Sequence, residues 1–260
     1  MVVNKDNVGD LWRDWFMTDA NSVERKLQRF FHALPHDPRC KLCNAPFQGF
    51  GGMVVGTLYG RRQSSLNPQF CNICEAFAQK FPGGAEVEMS MLFVDVRGST
   101  ALSESMSAME FQKLINRFFV GTTKIIGDEF GLVEQLAGDA VAAFWGAGFA
   151  GKDYVARTIR SAQKIQKAMN AQQIPVGVGV HTGIAYFGAM GEENGLINIS
   201  AIGDEVNLAA RIASKAAAGE ILVSEAALLS QPDIDAGKLE TRTLELKGIS
   251  KPMTVRVMRG

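Results

Sequence analysis

Two aspartates occupy positions in this sequence that favour metal chemistry. Asp95 interrupts the apolar segment 91–96, and Asp139 directly precedes the apolar segment 140–145. A carboxylate at the end of a buried strand is costly unless a cation lies beside it. Because hard divalent cations prefer oxygen ligands, two such carboxylates on neighbouring strands predict a divalent-metal site.

The loop that follows Asp95 adds a second kind of chemistry. Its residues lead into a helical pattern, and they are Arg97, Gly98, Ser99 and Thr100. Backbone N–H groups at the start of a helix can bind an anion, because they lack partners and lie at the positive end of the helix dipole. The segment therefore predicts phosphate binding next to the metal site.

All four cysteines lie in one stretch, as two Cys-x-x-Cys pairs with 27 residues between them: Cys40, Cys43, Cys71 and Cys74. Four thiolates in two such pairs suit tetrahedral zinc, which would help a glycine-rich segment with little core to fold. His32 and His36 nearby are spare candidates for ligands. We expect one zinc ion per chain, and iron, an iron–sulfur cluster, disulfides or ordinary thiols remain alternatives.

Composition is ordinary for a globular protein. The chain has 260 residues, 47% of them hydrophobic and 21% charged, with 27 basic and 27 acidic side chains. This charge balance gives no support for a nucleic-acid partner, and no apolar run is long enough to span a bilayer. The first residues lack the features of a signal peptide, so a cytoplasmic protein is expected.

The sequence divides into two parts, which we predict as domains over residues 1–82 and 84–260. The first part carries a helical pattern over residues 23–34, and aromatic residues at helical spacing, Trp12, Trp15 and Phe16, that are typical of core or interface positions. A short helix over residues 75–81, ended by Pro82 and two glycines, precedes the boundary. The first part is thus a helical, cysteine-rich metal-binding module.

The second part alternates predicted strands and helices. We expect a strand over 87–96, a helix over 105–126, a hairpin of 131–135 and 140–144, a helix over 154–172, strands over 176–182 and 185–189 separated by Gly183, a helix over 206–217, and strands over 221–223, 239–246 and 253–258. The β-α-β-β-α-β order predicts an α+β domain with a ferredoxin-like core.

Three motifs in this part together resemble a known family. They are residues 93–100 (FVDVRGST), 138–141 (GDAV) and 201–211 (AIGDEVNLAAR), with 177–183 (GVGVHTG) between the last two. In this order and spacing they resemble the class III nucleotidyl (adenylate/guanylate) cyclase catalytic domain, over residues 85–258. The resemblance implies a phosphorus–oxygen lyase that cyclises a nucleoside triphosphate to a second messenger.

The resemblance also implies roles for particular residues. Asp95, Asp139 and the Val96 carbonyl would bind two Mg²⁺ or Mn²⁺ ions, which activate the ribose 3′-oxygen and bind the triphosphate. Asn207 and Arg211, four residues apart on one helix face, would orient the ribose and stabilise the pentavalent phosphate. In this family the two sets come from different subunits, so a homodimer with shared active sites is implied.

The positions that would select the base depart from the usual family pattern. Gln135 stands where many relatives have a lysine, and Ser200 stands where adenylate-forming members have Asp or Thr. Both side chains can donate and accept hydrogen bonds, so this pair is compatible with adenine and with other bases. A phosphate-binding arginine of the family has no counterpart near Gly195, and Lys247 is a candidate triphosphate contact.

We therefore expect an adenylate cyclase that converts ATP to 3′,5′-cyclic AMP and pyrophosphate. A guanylate or pyrimidine cyclase is the alternative within the enzyme class, and a non-catalytic nucleotide-binding dimerisation module is the alternative outside it. His181, in an apolar strand, is expected to be a hydrogen-bonded core residue rather than a ligand.

Overall fold

A computed structural model describes residues 8–18, 22–35, 37–191, 197–231, 233–249 and 252–259. The chain forms two compact units. The first unit comprises Met1–Val87, Ala147–Gly151 and Tyr186–Ile202. The second unit comprises Glu88–Gly146, Lys152–Ala185 and Gly203–Gly260.

The helices and strands alternate along most of the second half of the chain. The helices are α1 (Val8–Met17), α2 (Ser22–Ala33), α3 (Gly49–Leu58), α4 (Asn72–Lys80), α5 (Ser99–Ser105), α6 (Ala108–Asp128), α7 (Ala147–Ala150), α8 (Tyr154–Ala171), α9 (Asp204–Ser214) and α10 (Glu225–Leu229). The strands are β1 (Gly83–Val96), β2 (Leu132–Ala137), β3 (Ala140–Trp145), β4 (Val176–Gly191), β5 (Ile197–Ile202), β6 (Glu220–Ser224), β7 (Glu240–Leu244) and β8 (Met253–Arg259).

The first unit is mainly helical and has an aromatic core. Phe16 of α1 is fully buried and packs against Phe149 of α7 and Phe187 of β4, with ring centroids 5.2 and 4.4 Å away. Trp12 is also buried, and its indole N–H donates to the Phe81 carbonyl over 3.0 Å. Trp12 and Phe16 are thus core residues, in line with the predicted core or interface positions, and Trp15 is half-buried.

The second unit is built on a sheet with the strand order β2-β3-β1-β4-β6-β8-β7. The first four strands in this order give the ferredoxin-like arrangement, and the α+β prediction is confirmed. Helix α9 packs its apolar face, including Ile212, against Leu222 of β6 and Val255 of β8. This packing fixes the helix that carries Asn207 and Arg211.

Some predicted boundaries are wrong. Residues 176–191 form one strand rather than two, and Gly183 lies inside it. A Cβ there would lie 2.7 Å from Glu205 Oε2 of α9, so the glycine leaves room for a close approach by this side chain and does not mark a break. Helix α6 begins at Ala108 and not at residue 105, because Ser107 and Glu110 form a capping box.

Other elements were not predicted. Helix α3 forms within the glycine-rich segment between the cysteine pairs, although four of its ten residues are glycine. Strand β5 pairs with the C-terminal part of β4, in the register Tyr186–Ile202 to Gly191–Ile197. Because both segments are short, sequence periodicity alone does not identify them.

Candidate active site and cysteine cluster

The two candidate metal-binding aspartates lie at the ends of adjacent strands. Asp95 is paired with Ala140 in the β1–β3 ladder, one residue from Asp139. The Val96 N–H donates to the Asp139 carbonyl over 3.0 Å, which fixes the β2–β3 turn beside the end of β1. The structure therefore brings together the carboxylates that the sequence singled out.

The electrostatics of this pair fit a cation site. Partial burial raises the pKa of Asp95 above its usual value, the Arg97 charge lowers it, and the nearby Asp139 charge raises it. The net pKa is raised, so the negative charge on Asp95 is less stable in the folded chain than in water. A divalent cation would offset both the burial and the repulsion.

Arg97 connects the metal-site strand to α9. Its Nη2 lies 4.0 Å from Asp95 Oδ2 and donates to the Ala213 carbonyl over 2.8 Å, while Nη1 donates to the Ser214 carbonyl over 3.4 Å. Ala213 and Ser214 are the last two residues of α9, where carbonyls lack helical partners and favour a cation. Arg97 thus stabilises the end of this helix next to Asp95.

The sequence predicted that Arg97 contacts phosphate, but its polar groups contact the protein instead. Its backbone N–H donates to the Pro175 carbonyl over 2.7 Å, and its Nε is buried with no hydrogen-bond partner among the described residues. A Cβ at Gly177 would lie 2.4 Å from that Nε, so a glycine is needed where the guanidinium passes β4. The following residues Gly98, Ser99 and Thr100 lead into α5.

Helix α9 presents the other candidate catalytic residues. Asn207 is exposed and Arg211 is half-buried, one turn apart. The turn containing Gly248 lies beside Arg211, since a Cβ at Gly248 would be 3.3 Å from Arg211 Nη1. Lys247, exposed in the same turn, therefore lies in the loop next to Arg211.

A buried polar network fixes the first turn of α9. His181 Nε2 lies 2.5 Å from Glu205 Oε2, and His181 Nδ1 lies 2.8 Å from Ser224 Oγ. Burial lowers the pKa of His181 despite the opposing effect of Glu205, which favours the neutral imidazole. Its Nε2–H then donates to Glu205 while Nδ1 accepts from Ser224, so His181 is a hydrogen-bonded core residue, as predicted.

The base-selecting candidates lie on different strands. Gln135 is in β2, at an irregularity of the β2–β3 ladder where it pairs with Ala142, and its side chain is outside the described part of the structure. Ser200 is half-buried in β5 of the first unit, opposite Gly188 of β4. Their roles stay predictions.

The four cysteines of the first unit form one cluster. The Sγ atoms of Cys40, Cys43, Cys71 and Cys74 all lie within 4.8 Å of one another. Those of Cys43 and Cys71 are 3.7 Å apart, close to the ~3.8 Å edge of a tetrahedron with Zn–S bonds of about 2.3 Å. The four cysteines are free thiols, so the cluster can hold a metal.

Backbone N–H groups donate to two of the sulfur atoms in this cluster. The Cys71 N–H donates to Cys40 Sγ over 3.2 Å, and the Cys74 N–H donates to Cys71 Sγ over 3.4 Å. Hydrogen bonds from Cys40 and the other thiols lower the pKa of Cys71, whereas the hydrogen bond with Cys40 raises the pKa of Cys43 and of Cys74. The two N–H···S contacts therefore stabilise negative charge on Cys40 and Cys71.

Arg61 supplies a buried positive charge beside the cluster. Its Nη1 lies 3.7 Å from Cys74 Sγ, its Nη2 donates to Glu24 of α2 over 3.0 Å, and its guanidinium lies over the Phe31 ring. Burial lowers the pKa of Arg61, but the thiolates and Glu24 raise it by more. Arg61 was not predicted from the sequence, although a basic residue between the two cysteine pairs could have indicated a charge partner for the sulfur atoms.

The fold is that of the catalytic core of the class III nucleotidyl cyclases. A family model described as the adenylate and guanylate cyclase catalytic domain matches residues 84–259. The chain therefore belongs to this family.

Relatives include both kinds of purine cyclase. An adenylate cyclase of Anabaena cylindrica is 28% identical over 182 residues, which are 64% of this chain and 36% of the relative. The solved guanylyl cyclase Cya2 has a TM-score of 0.62 at 26% identity, covering 67% of this chain and 93% of Cya2. The solved adenylyl cyclase CyaB from P. aeruginosa has a TM-score of 0.60 at 26% identity, covering 67% and 95%.

The match covers only part of the curated relatives. The matched part of this chain spans 36% of the Anabaena cylindrica cyclase and 41% of an uncharacterised Mycobacterium bovis relative. In the described ranges, the helices are too short or too polar to cross a membrane.

The position of Arg97 gives a test. Arg97→Lys keeps the charge but cannot contact both α9 carbonyls and Asp95, because lysine has one compact ammonium. We expect kcat to fall by on the order of tenfold, with KM for the nucleotide changed by less than about twofold. The reason is that the end of α9, which carries Asn207 and Arg211, is no longer held in place. Steady-state kinetics measure both constants.

Arg242→Lys is the matched control, because Arg242 of β7 pairs with Glu220 of β6 and Glu240 of β7. It should leave both constants unchanged. A raised KM with unchanged kcat in Arg97→Lys would instead indicate the phosphate contact expected from the sequence.

Proposed function

We propose that this chain is an adenylate cyclase, which forms 3′,5′-cyclic AMP and pyrophosphate from ATP. The observation that carries the proposal is the pairing of Asp95 and Asp139 at adjacent strand ends, where the pKa of Asp95 is raised. In a chain of the cyclase family, such a pair of oxygen ligands suits two divalent cations.

The residues present fit Mg²⁺ or Mn²⁺, with Asp95, Asp139 and the Val96 carbonyl as ligands. When bound, the ions supply a lowered pKa for the ribose 3′-hydroxyl and compensation of the triphosphate charge. The chain's own residues do the rest: Arg97 positions α9, Asn207 orients the ribose, and Arg211 stabilises charge on the α-phosphate. Lys247 binds the triphosphate from the turn beside Arg211.

The choice of adenine rests on Gln135 and Ser200. Neutral side chains at both positions can donate to and accept from the adenine edge. The Anabaena relative is named an adenylate cyclase, which favours the same substrate. The Cya2 structure is that of a guanylyl cyclase, so GTP is the first competing substrate to test.

The direct experiment uses the purified chain with Mn²⁺ and each of ATP, GTP, CTP and UTP, with products identified by mass spectrometry. Cyclic AMP should be the main product. Gln135→Ala should reduce the preference for ATP over GTP by on the order of tenfold, since one neutral hydrogen bond contributes roughly 0.5–1.5 kcal/mol. A main product from UTP or CTP would establish the pyrimidine alternative, and no product from any nucleotide would favour the non-catalytic module.

We also propose a homodimer in which Asp95 and Asp139 of one subunit act with Asn207 and Arg211 of its partner. Inactive Asp95→Ala and Arg211→Ala chains, mixed with subunit exchange, should then regain about a quarter of wild-type activity. Half of the dimers are mixed, and each has one complete site of two.

The matched control mixes Asp95→Ala with Asp139→Ala, which remove ligands from the same half-site. This mixture should stay inactive. If the first mixture also stays inactive while mass spectrometry verifies mixed dimers, each site is built within one chain.

We propose, further, that Cys40, Cys43, Cys71 and Cys74 bind one zinc ion. The sulfur separations and the N–H···S contacts support a tetrahedral thiolate site. Four thiolates around Zn²⁺ leave a net charge of about −2, and Arg61 offsets part of it within the buried region. An iron centre has the same ligands and is the alternative.

Elemental analysis of the purified chain should give about one zinc per chain, without a visible absorption band. Chelation should increase proteolysis within residues 40–74 before it affects the second unit, because metal binding contributes to local folding. Cys43→Ser should lose the metal, because it replaces a sulfur ligand with a hydroxyl, whereas the control Thr57→Ser, at an exposed position on α3, should retain it. Iron with visible absorption, or no metal at all, would reject zinc.

A further inference from the structure

The first unit contains a cavity that the proposed cyclase chemistry does not use. Its volume is about 240 Å³, and it lies among α1, α2, α4, α7 and the loop that carries Cys43. All of its lining residues belong to the first unit. Two of the candidate metal ligands, Cys43 and Cys74, form part of its wall.

The walls are mostly aromatic and aliphatic. Four aromatic side chains line the cavity, Trp12, Trp15, Phe77 and Phe149, together with Leu11 and Ile73. Trp12 and Phe77 are held edge to face at 5.3 Å, and Trp15 stacks on Phe149 at 5.8 Å. Such walls suit a planar aromatic ligand, which can stack on the face of one wall ring and contact the edge of another.

The polar side chains in the wall are bonded to other parts of the protein. Arg25 donates to the carbonyls of Gly148 and Ala147 over 3.0 and 3.2 Å, and Gln28 donates to the Leu42 carbonyl over 3.1 Å. Arg61 is engaged by Glu24 and the cysteine sulfurs. A charged ligand would compete with these contacts and lose its hydration, so a neutral occupant is favoured.

The volume limits the size of that occupant. An apolar cavity of about 150 Å³ can hold a benzene molecule. A cavity of 240 Å³ therefore accommodates one ring or two fused rings, and it is smaller than the pockets that hold drug-sized ligands.

We propose that this cavity is a binding site for a neutral aromatic molecule of one or two rings. An occupant would contact Trp12 and Trp15 on α1 and the sulfur side of the cysteine cluster. The site would give the first unit a small-molecule ligand in addition to a metal. The proposal depends neither on the identity of the metal nor on the nucleotide that is cyclised.

Ligand-observed NMR of the whole chain tests the proposal, with indole and quinoline as neutral probes and benzoate and benzamidine as charged ones. We expect the neutral probes to bind with Kd of about 10⁻⁴ M or tighter, within the range of efficient small ligands. The charged probes should bind at least about tenfold more weakly. Equal binding of charged and neutral probes, or no binding of either neutral probe, would overturn the proposal.

Two variants that fill the cavity locate the site. Leu11→Trp and Ile73→Phe enlarge a half-buried and an exposed lining side chain, and each should weaken binding by at least about tenfold. Leu58→Trp is the matched control, because Leu58 is 71% exposed on α3 and does not line the cavity. Unchanged binding in both filled variants would place the probes elsewhere and refute the assignment.

The metal content and thermal midpoint of each variant serve as folding checks. Both should equal the wild-type values, whatever metal is present. If one filled variant loses its metal, the other decides the outcome, since Leu11 and Ile73 lie on different helices.

Discussion

The contact between Arg97 and the end of α9 is the constraint on which the arrangement of the second unit depends. Asp95 must end a strand beside Asp139, and Asn207 and Arg211 must face outward from a helix that packs on β6 and β8. Arg97 connects this strand end to this helix, because its guanidinium lies 4.0 Å from the Asp95 carboxylate and donates hydrogen bonds to the last carbonyls of α9. His181 and Glu205 hold the first turn of the same helix, so both of its ends are fixed by polar contacts.

In the first unit, the segment around the cysteines buries little apolar surface. Its cysteine segment includes a glycine-rich helix, and several large apolar side chains there are exposed: Phe50, Met53, Leu58 and Leu66. A segment with so little buried apolar surface gains stability from cross-links, which the four clustered thiols can provide through a metal. The buried charge of Arg61 fits this account, because an arginine held beside sulfur is costly unless the sulfur is anionic.

Much of the second unit could be predicted from the sequence, because its strands are strongly apolar and its motifs combine residue types with a required chemistry. The ferredoxin-like order and the position of Asp139 beside the end of the strand that carries Asp95 are such cases. Contacts of long side chains could not be predicted. The Arg97 side chain can pass β4 only because residue 177, 80 positions further along the chain, is a glycine. Gly183 predicted a break between two strands, but it lies within one strand and leaves room for Glu205. Helix α3 contradicts helix propensity, since tertiary context outweighs the cost of its glycines.

The link made by Arg97 has a consequence within the proposed homodimer. Each chain carries both half-sites, but the Asp95 half would serve one active site and the Asn207–Arg211 half would serve the other. Arg97 then connects the metal half of one site to the helix of the second site, through contacts within a single chain. A cation at Asp95 attracts that carboxylate and repels the guanidinium beside it, which changes the interaction that holds the end of α9. If the proposed homodimer forms, its two sites would therefore not be electrostatically independent, because the same arginine contacts both half-sites of one chain.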